Sequence, residues 1–247
     1  MSESNLSKAT TINMENKEVK NNNAEAWEAE YQKPQFLSLG TEPLSVVRDF
    51  TKWLRRKQKI DISDFVVLDL GCGNGKNVKY LIESFAKSGI GYDISKTAIA
   101  EANSLKGSLK LYYEVRSMGE VFPLEKESID LVLDVTSSNS LSEKERELYL
   151  KEVSRVLKTD GYFFVRALCK DADDNAKTLL KESPGVEYDT YILPAVGVTE
   201  RVFSKKDFET LYGKYFEILN LEKSTGYQKW GNQSYKRNYW IVYLKKK

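Results

Sequence analysis

The chain of 247 residues reads as an α/β protein built on a doubly wound parallel sheet with helices on both faces. Three observations predict it. A short apolar run over residues 65–70, rich in β-branched side chains, is too short for a helix and reads as a buried strand. It enters a glycine turn, Gly71-Cys72-Gly73-Asn74-Gly75, followed by Val78, Leu81, Ile82 and Phe85 at i, i+3, i+4, i+7 spacing. Strand and helix patterns then alternate, the sign of parallel strands with right-handed crossovers.

Element by element, residues 1–23 are rich in Ser, Asn, Lys and Glu and are expected to be disordered. A single domain is expected over residues 24–247, opening with a helical cap over residues 24–60. Trp27 and Tyr31 stand i, i+4 on a helix that Pro34 ends, and they either close over a ligand or pack on the core. A firmer helix spans residues 44–58, with Val47, Phe50 and Leu54 on one face and Arg55, Arg56 and Lys57 in a last turn that suits the helix dipole. After the glycine turn and its helix, a strand over residues 89–92 ends in Asp93. Ser95 caps a helix to residue 104, residues 109–114 form a strand, and residues 129–135 form the fourth. Ser142 with Glu145 makes a capping box for a helix carrying Leu148, Val153, Val156 and Leu157. Residues 158–161 turn into a fifth strand over 162–168. Ser204 with Asp207 opens another helix, with Phe208, Leu211 and Tyr212 on its apolar face, and residues 216–222 and 238–244 read as a closing pair of strands.

Composition narrows the chemistry. The formal charge of +2 decides little. No run of eighteen apolar residues is present, so no membrane-spanning helix is expected. The polar N-terminus lacks a signal-peptide pattern, and a cytoplasmic protein is the plain reading. Cys72 and Cys169 do not make a disulfide framework or a zinc site by themselves. The chain has no histidine, which removes Ser-His-Asp triads and histidine general bases. Asp171, Asp173 and Asp174 lack the later glycine and glutamate of a calcium loop, and no metal is expected.

Glycines let backbone approach a ligand closely, the following helix N-terminus favours an anionic group, and Asp93 stands where doubly wound folds hold ribose hydroxyls. Together they point to a nucleoside with an anionic tail. A dinucleotide fingerprint requires glycine at Lys76, and a P-loop requires glycine at Leu70 and Ser or Thr at Asn77. Both patterns fail. The remaining pattern, Asp69-x-Gly71-x-Gly73-x-Gly75 with Asp93 ending the next strand, resembles the class I S-adenosylmethionine-dependent methyltransferases, from about Trp27 to the C-terminus. The resemblance implies a seven-stranded, mostly parallel sheet whose last strand is antiparallel. It implies that Gly71, Cys72, Gly73 and Gly75 shape the loop under the methionine part of S-adenosyl-L-methionine and that Asp69 orients its amino group. Asp93 would hold the ribose and Ile94 would lie against the adenine. Phe122-Pro123-Leu124 resembles the family's turn before the fourth strand, but Met118 stands where many members carry an aspartate that meets the adenine amine. Ser117 or backbone around Met118 is the expected substitute.

The fourth strand delivers Asp134 to the same sheet edge. Val135-Thr136-Ser137 after it departs from the motif of amine-modifying nucleic-acid methyltransferases, which argues against an adenine-directed DNA enzyme. Asp134 either touches cofactor or acceptor, as a catalytic carboxylate, or is structural. Residues 170–203 form a long insertion with one short helical stretch over 175–182, the length expected of a cover over a substrate. Trp27, Tyr31, Tyr191 and Arg201 are the expected substrate contacts, Arg201 as an anion clamp or as a surface ion pair. From Arg201 onward eleven Lys/Arg face four Asp/Glu. Tyr227, Lys229, Trp230, Tyr235, Lys236, Arg237 and Tyr239 lie close together there, suiting single-stranded nucleic acid or, the favoured reading, a structural hairpin bordering the pocket. The expected function is methyl transfer to an O, N or S atom of a small molecule. The alternatives are an RNA or protein methyltransferase using the basic C-terminal face, or a binding protein that keeps the fold without catalysis.

Overall fold

A computed structural model of the chain describes residues 23–247 except 36, 38, 195, 231 and 232, and only the backbone of 228–230 and 233. The disorder expected of residues 1–22 falls outside the described residues, as do the side chains of Lys229 and Trp230. Asn23, assigned to that tail from sequence, is buried and opens helix α1 (Asn23–Gln32).

Seven strands make one sheet in the order β3-β2-β1-β4-β5-β9-β8. They are β1 (Val66–Leu70), β2 (Ser88–Asp93), β3 (Leu111–Val115), β4 (Ile129–Val135), β5 (Leu157–Leu168), β8 (Phe216–Trp230) and β9 (Gln233–Lys246). Strands β1 to β5 pair in parallel, and β9 runs antiparallel to both β5 and β8. The expected seven-stranded sheet with an antiparallel last strand is therefore present.

The two sheet faces follow from the period of two along each strand. Val67, Leu131, Leu133 and Phe164 point to one face, covered by α2 (Ser45–Lys52), α3 (Lys76–Ser84) and α4 (Lys96–Leu105). Leu68, Leu70, Val132, Phe163 and Val165 point to the other, covered by α5 (Glu143–Val156) and α7 (Lys205–Leu211). Phe50 of α2 stacks 5.0 Å from Phe164 and 4.8 Å from Tyr243, an aromatic contact that secures the first layer. Burying a phenylalanine of this kind is worth about 2–3 kcal/mol. The helix expected over residues 44–58 is α-helical only to Lys52 and continues as a π-helical turn over Trp53–Lys57. Ser142 and Ser204 both form the expected capping boxes, with Glu145 and Asp207.

The insertion has more structure than its sequence shows. It holds α6 (Asp174–Glu182) and a small antiparallel pair, β6 (Thr190–Ile192) and β7 (Thr199–Arg201), around a separate core of Leu168, Ala176, Tyr191, Leu193, Val202 and Tyr239. Strands β8 and β9 run far beyond the expected ends. Only Tyr239–Lys245 of β9 pairs with β5, so the distal hairpin projects past the sheet. No helix among the described residues is long and apolar enough to cross a membrane.

Candidate active site

The carboxyl ends of β1 to β5 open into a cavity of about 1060 Å3. Its floor is the glycine loop. Gly71, Gly73 and Gly75 all adopt left-handed φ, at +68°, +56° and +78°. Gly73 also lacks room: a Cβ there would lie 2.6 Å from the Tyr31 hydroxyl. At Gly71 the obstacle would be Ser137, whose Oγ donates to the Gly71 carbonyl at 3.1 Å and ties the β4 exit to the loop. Cys72 is a free, buried thiol, and burial pushes its pKa well up.

Two carboxylates set the electrostatics. Asp93 ends β2 on the cavity wall and accepts the Gly73 amide at 2.8 Å and the Ser95 amide at 2.9 Å. Burial raises its pKa to about 6, against the pull of those amides. Asp69 lies beneath the loop at 1% exposure, and neither carboxyl oxygen has a hydrogen-bond partner among the described residues. Burial pushes it up to about 7; the nearby Val78 amide pulls the other way, short of hydrogen-bond geometry, while Asp134 and Asp93 add to the rise. Buried carboxyls of this kind favour a cationic neighbour. Ile94, Ser117 and Met118 continue the wall past Asp93. Ser117 Oγ accepts the Gly119 amide at 3.1 Å, and Met118 also belongs to the core.

The roof is α1. Trp27 and Tyr31 line the cavity, and Trp27 Nε1 donates to Ser140 Oγ at 3.3 Å. Asn23 anchors one end of α1 to the Ser140 carbonyl and to both backbone groups of Thr199. Glu28 anchors the middle, accepting from Ser95 Oγ and Thr97 Oγ1 at 2.7 Å each. Those hydroxyls hold its carboxyl down at about 2. Burial raises the Tyr31 phenol far above its ordinary value, so it serves as a neutral donor or packing ring.

Three sequence expectations are corrected. Asp134 is fully buried away from the cavity wall, its oxygens taken by the Tyr149 hydroxyl at 2.7 Å and the Ser137 and Ser138 amides. It braces the turn after β4 rather than meeting a ligand. Tyr191 is buried in the insertion core, where its hydroxyl donates to Glu200 at 2.6 Å and accepts from Arg237 at 2.8 Å. Arg201 points inward against the Phe203 ring, with Asp207 at 3.9 Å. The insertion is also less of a cover than its length implies, since among its described residues only Glu200 reaches the wall. Of the acidic trio, Asp173 caps α6 and accepts the Asn238 amide, and Asp171 accepts the Lys205 amide. Arg116 and Arg166 are wall residues that sequence reasoning missed. Arg166 had a signal: one charged side chain interrupts the apolar run of a central strand.

Residues 68–165 match the family model described as "Methyltransferase domain". A "tRNA U34 carboxymethyltransferase" of Shewanella baltica is 26% identical over 162 residues, 64% of this chain and 48% of that protein. A "Phthiotriol/phenolphthiotriol dimycocerosates methyltransferase" of Mycobacterium tuberculosis is 32% identical over 110 residues, 44% of this chain and 40% of that one. The chain thus spans less than half the length of these curated relatives. Among solved structures, a Methanosarcina mazei S-adenosylmethionine-dependent methyltransferase superposes with a TM-score of 0.64 at 21% identity, covering 74% of this chain and 93% of the other. The Burkholderia thailandensis 1,6-didemethyltoxoflavin-N1-methyltransferase, solved with its substrate and S-adenosylhomocysteine, gives 0.63 at 14% identity, covering 90% and 86%. Sheet order, glycine loop and domain match agree. Residues 68–165 carry a methyltransferase domain, and the fold is that of S-adenosylmethionine-dependent methyltransferases.

Proposed function

We propose that this protein transfers a methyl group from S-adenosyl-L-methionine to a small molecule. The observation that carries the reading is the pair of buried carboxyls, Asp69 and Asp93, around a left-handed glycine loop that opens into a roofed cavity. That setting fits a cationic nucleoside better than an anionic dinucleotide. Asp93 and Ile94 would hold the nucleoside, Ser117 and Met118 would border its base, and Gly71, Cys72, Gly73 and Gly75 would leave room for the amino-acid tail above Asp69. When bound, this cofactor would supply an electrophilic methyl on its sulfonium sulfur, to which these residues would align an acceptor lone pair.

The chain's own contribution is alignment and exclusion of water. Trp27 and Tyr31 close the cofactor side, and Asp134 is committed to hydrogen bonds of its own, so no carboxylate at the β4 exit serves as a base. A small acceptor suits the volume: about 1060 Å3 stands at the upper end of the roughly 300–1,000 Å3 usual for a ligand pocket. Two buried free thiols support a cytoplasmic setting. A second reading, an RNA acceptor, draws on the exposed tyrosines of the distal hairpin, Tyr227 and Tyr235, and on the tRNA-acting relative. Transfer of labelled methyl into separated pools of small molecules, RNA and protein tests the proposal. Label in the small-molecule pool is expected. Label confined to RNA or protein, or to no pool, contradicts it.

A further inference from the structure

Arg166 is a cation on the wall of this cavity that no carboxylate pairs among the described residues. It sits near the carboxyl end of β5, half-buried on the wall. Its guanidinium lies 3.5 Å above the Tyr239 ring, and its Nη1 donates to Thr136 Oγ1. Among the described residues no carboxylate forms an ion pair with it. Arg116, the other arginine of the wall, is paired with Glu114 at 2.6 Å. Glu200 shares the wall, but its charge is answered by Arg237 and the Tyr191 hydroxyl. A half-buried cation without its counter-charge is costly unless a ligand provides one.

The arginine is also held in place by an unusual device. Thr136, a β-branched residue, adopts φ +64°, where such residues are rare and strained. Two hydrogen bonds fasten it to Arg166: its amide donates to the Arg166 carbonyl at 2.7 Å, and its hydroxyl accepts from the guanidinium. Strain of this sort persists where surrounding structure requires one geometry, and here that geometry aims a planar fork of donors.

We infer that the acceptor carries a carboxylate or phosphate and is anchored by it to Arg166, beside Tyr239. The inference rests on the methyltransferase reading above. In the order β2-β1-β4-β5, three strand spacings separate Asp93 from Arg166, about 14 Å at roughly 4.8 Å per strand. The anchor therefore lies on the acceptor side of the cavity, away from the ribose contact. A guanidinium engaging both oxygens withdraws their lone pairs, so the reacting atom is another O, N or S of the same molecule. That atom bonds to the methyl carbon, the carbon–sulfur bond breaks with its pair kept by sulfur, and the acceptor proton leaves to water. The product keeps its negative charge.

The test uses the full chain, Arg166→Gln and Arg166→Lys. Calorimetry with S-adenosylhomocysteine comes first, and all three proteins are expected to bind alike. Methyl-labelled S-adenosylmethionine is then supplied with a protein-free small-molecule cell extract split on an anion exchanger into retained and unretained fractions, and with a separate RNA pool. Label is expected in the retained fraction, on a product that still binds the exchanger. Arg166→Gln should raise KM for that fraction about tenfold or more with a smaller change in kcat, and Arg166→Lys should recover part of the loss. Label only in the unretained fraction, a product that has lost its charge, or an unchanged KM in Arg166→Gln overturns the inference and leaves methyl transfer to small molecules standing. Loss of S-adenosylhomocysteine binding in Arg166→Gln alone assigns the arginine to the cofactor and also overturns it. Label only in RNA gives the anion as a backbone phosphate and removes the small acceptor. Failure of wild type to bind S-adenosylhomocysteine, or label in no pool, removes both readings.

Discussion

Gly73 combines two demands that few positions make together: a left-handed φ of +56° and a tyrosine hydroxyl 2.6 Å from where a Cβ would sit. Gly73→Ala should destabilise the protein by about 1 kcal/mol or more and weaken S-adenosylhomocysteine binding about tenfold. Adding Tyr31→Ala relieves the contact but not the backbone strain, so thermal unfolding of the double variant should stay below wild type. Asp69 carries a pH signature. Its pKa rises from 3.8 unfolded to about 7 folded, so the folded state holds the proton more tightly. Stability from the neutral carboxyl is complete below the unfolded pKa and is lost as pH rises toward 7. Asp69→Asn escapes that loss, and its denaturation midpoint should gain on wild type between pH 5 and pH 8. An equal difference at both values contradicts the assignment. At this scale the glycines and Asp93 were legible because spacing alone distinguishes this loop from other nucleotide loops. Asp134, Tyr191 and Arg201 were not, since a position at a strand end does not say whether a side chain turns to the cavity or to a bracing partner.

Helix α1 depends on polar ties more than on apolar burial. Glu28 meets Ser95 and Thr97 at the start of α4, and its carboxyl sits at about 2, below its usual 4.5. A lowered value means the tie is fully present above the unfolded pKa and is lost only as pH falls through about 2. Glu28→Ala should therefore loosen the roof at all ordinary pH values. Hydrogen exchange of the α1 amides should accelerate and S-adenosylhomocysteine affinity should fall about threefold to tenfold, with little change in global unfolding. Unchanged exchange contradicts the roof role of this contact. Both capping boxes were readable because Ser and an acid three residues on satisfy the same amides wherever a helix starts. The pair β6 and β7 was not, because three-residue strands show no period. The hairpin's length was hidden as well: its distal strands are polar and Gly226 interrupts them, so sequence supported only the part that packs on β5.

At the scale of the molecule, the sheet places β9 between β5 and β8, and the projecting hairpin returns Tyr227 to the cavity wall. Arg237 remains buried at its base, beside Asp173 and Tyr191. Replacing residues 227–236 with Asn-Gly should leave the fold and S-adenosylhomocysteine affinity nearly unchanged while raising KM for the acceptor. A collapse in thermal stability would show instead that the hairpin tip is part of the core. The alternation that predicted an α/β sheet was legible because buried parallel strands are short apolar runs between amphipathic helices. The acceptor was not, because the cavity wall draws side chains from β4, β5, β7, β8 and β9 that no local pattern brings together.

A crystal structure of the protein grown with S-adenosylhomocysteine tests the cofactor site directly. The nucleoside is expected in the cavity under α1, with its ribose hydroxyls within hydrogen-bond distance of Asp93 and its amino-acid tail over Gly71 and Gly73. A cleft left empty at saturating ligand, or a nucleoside bound away from Asp93, would contradict it.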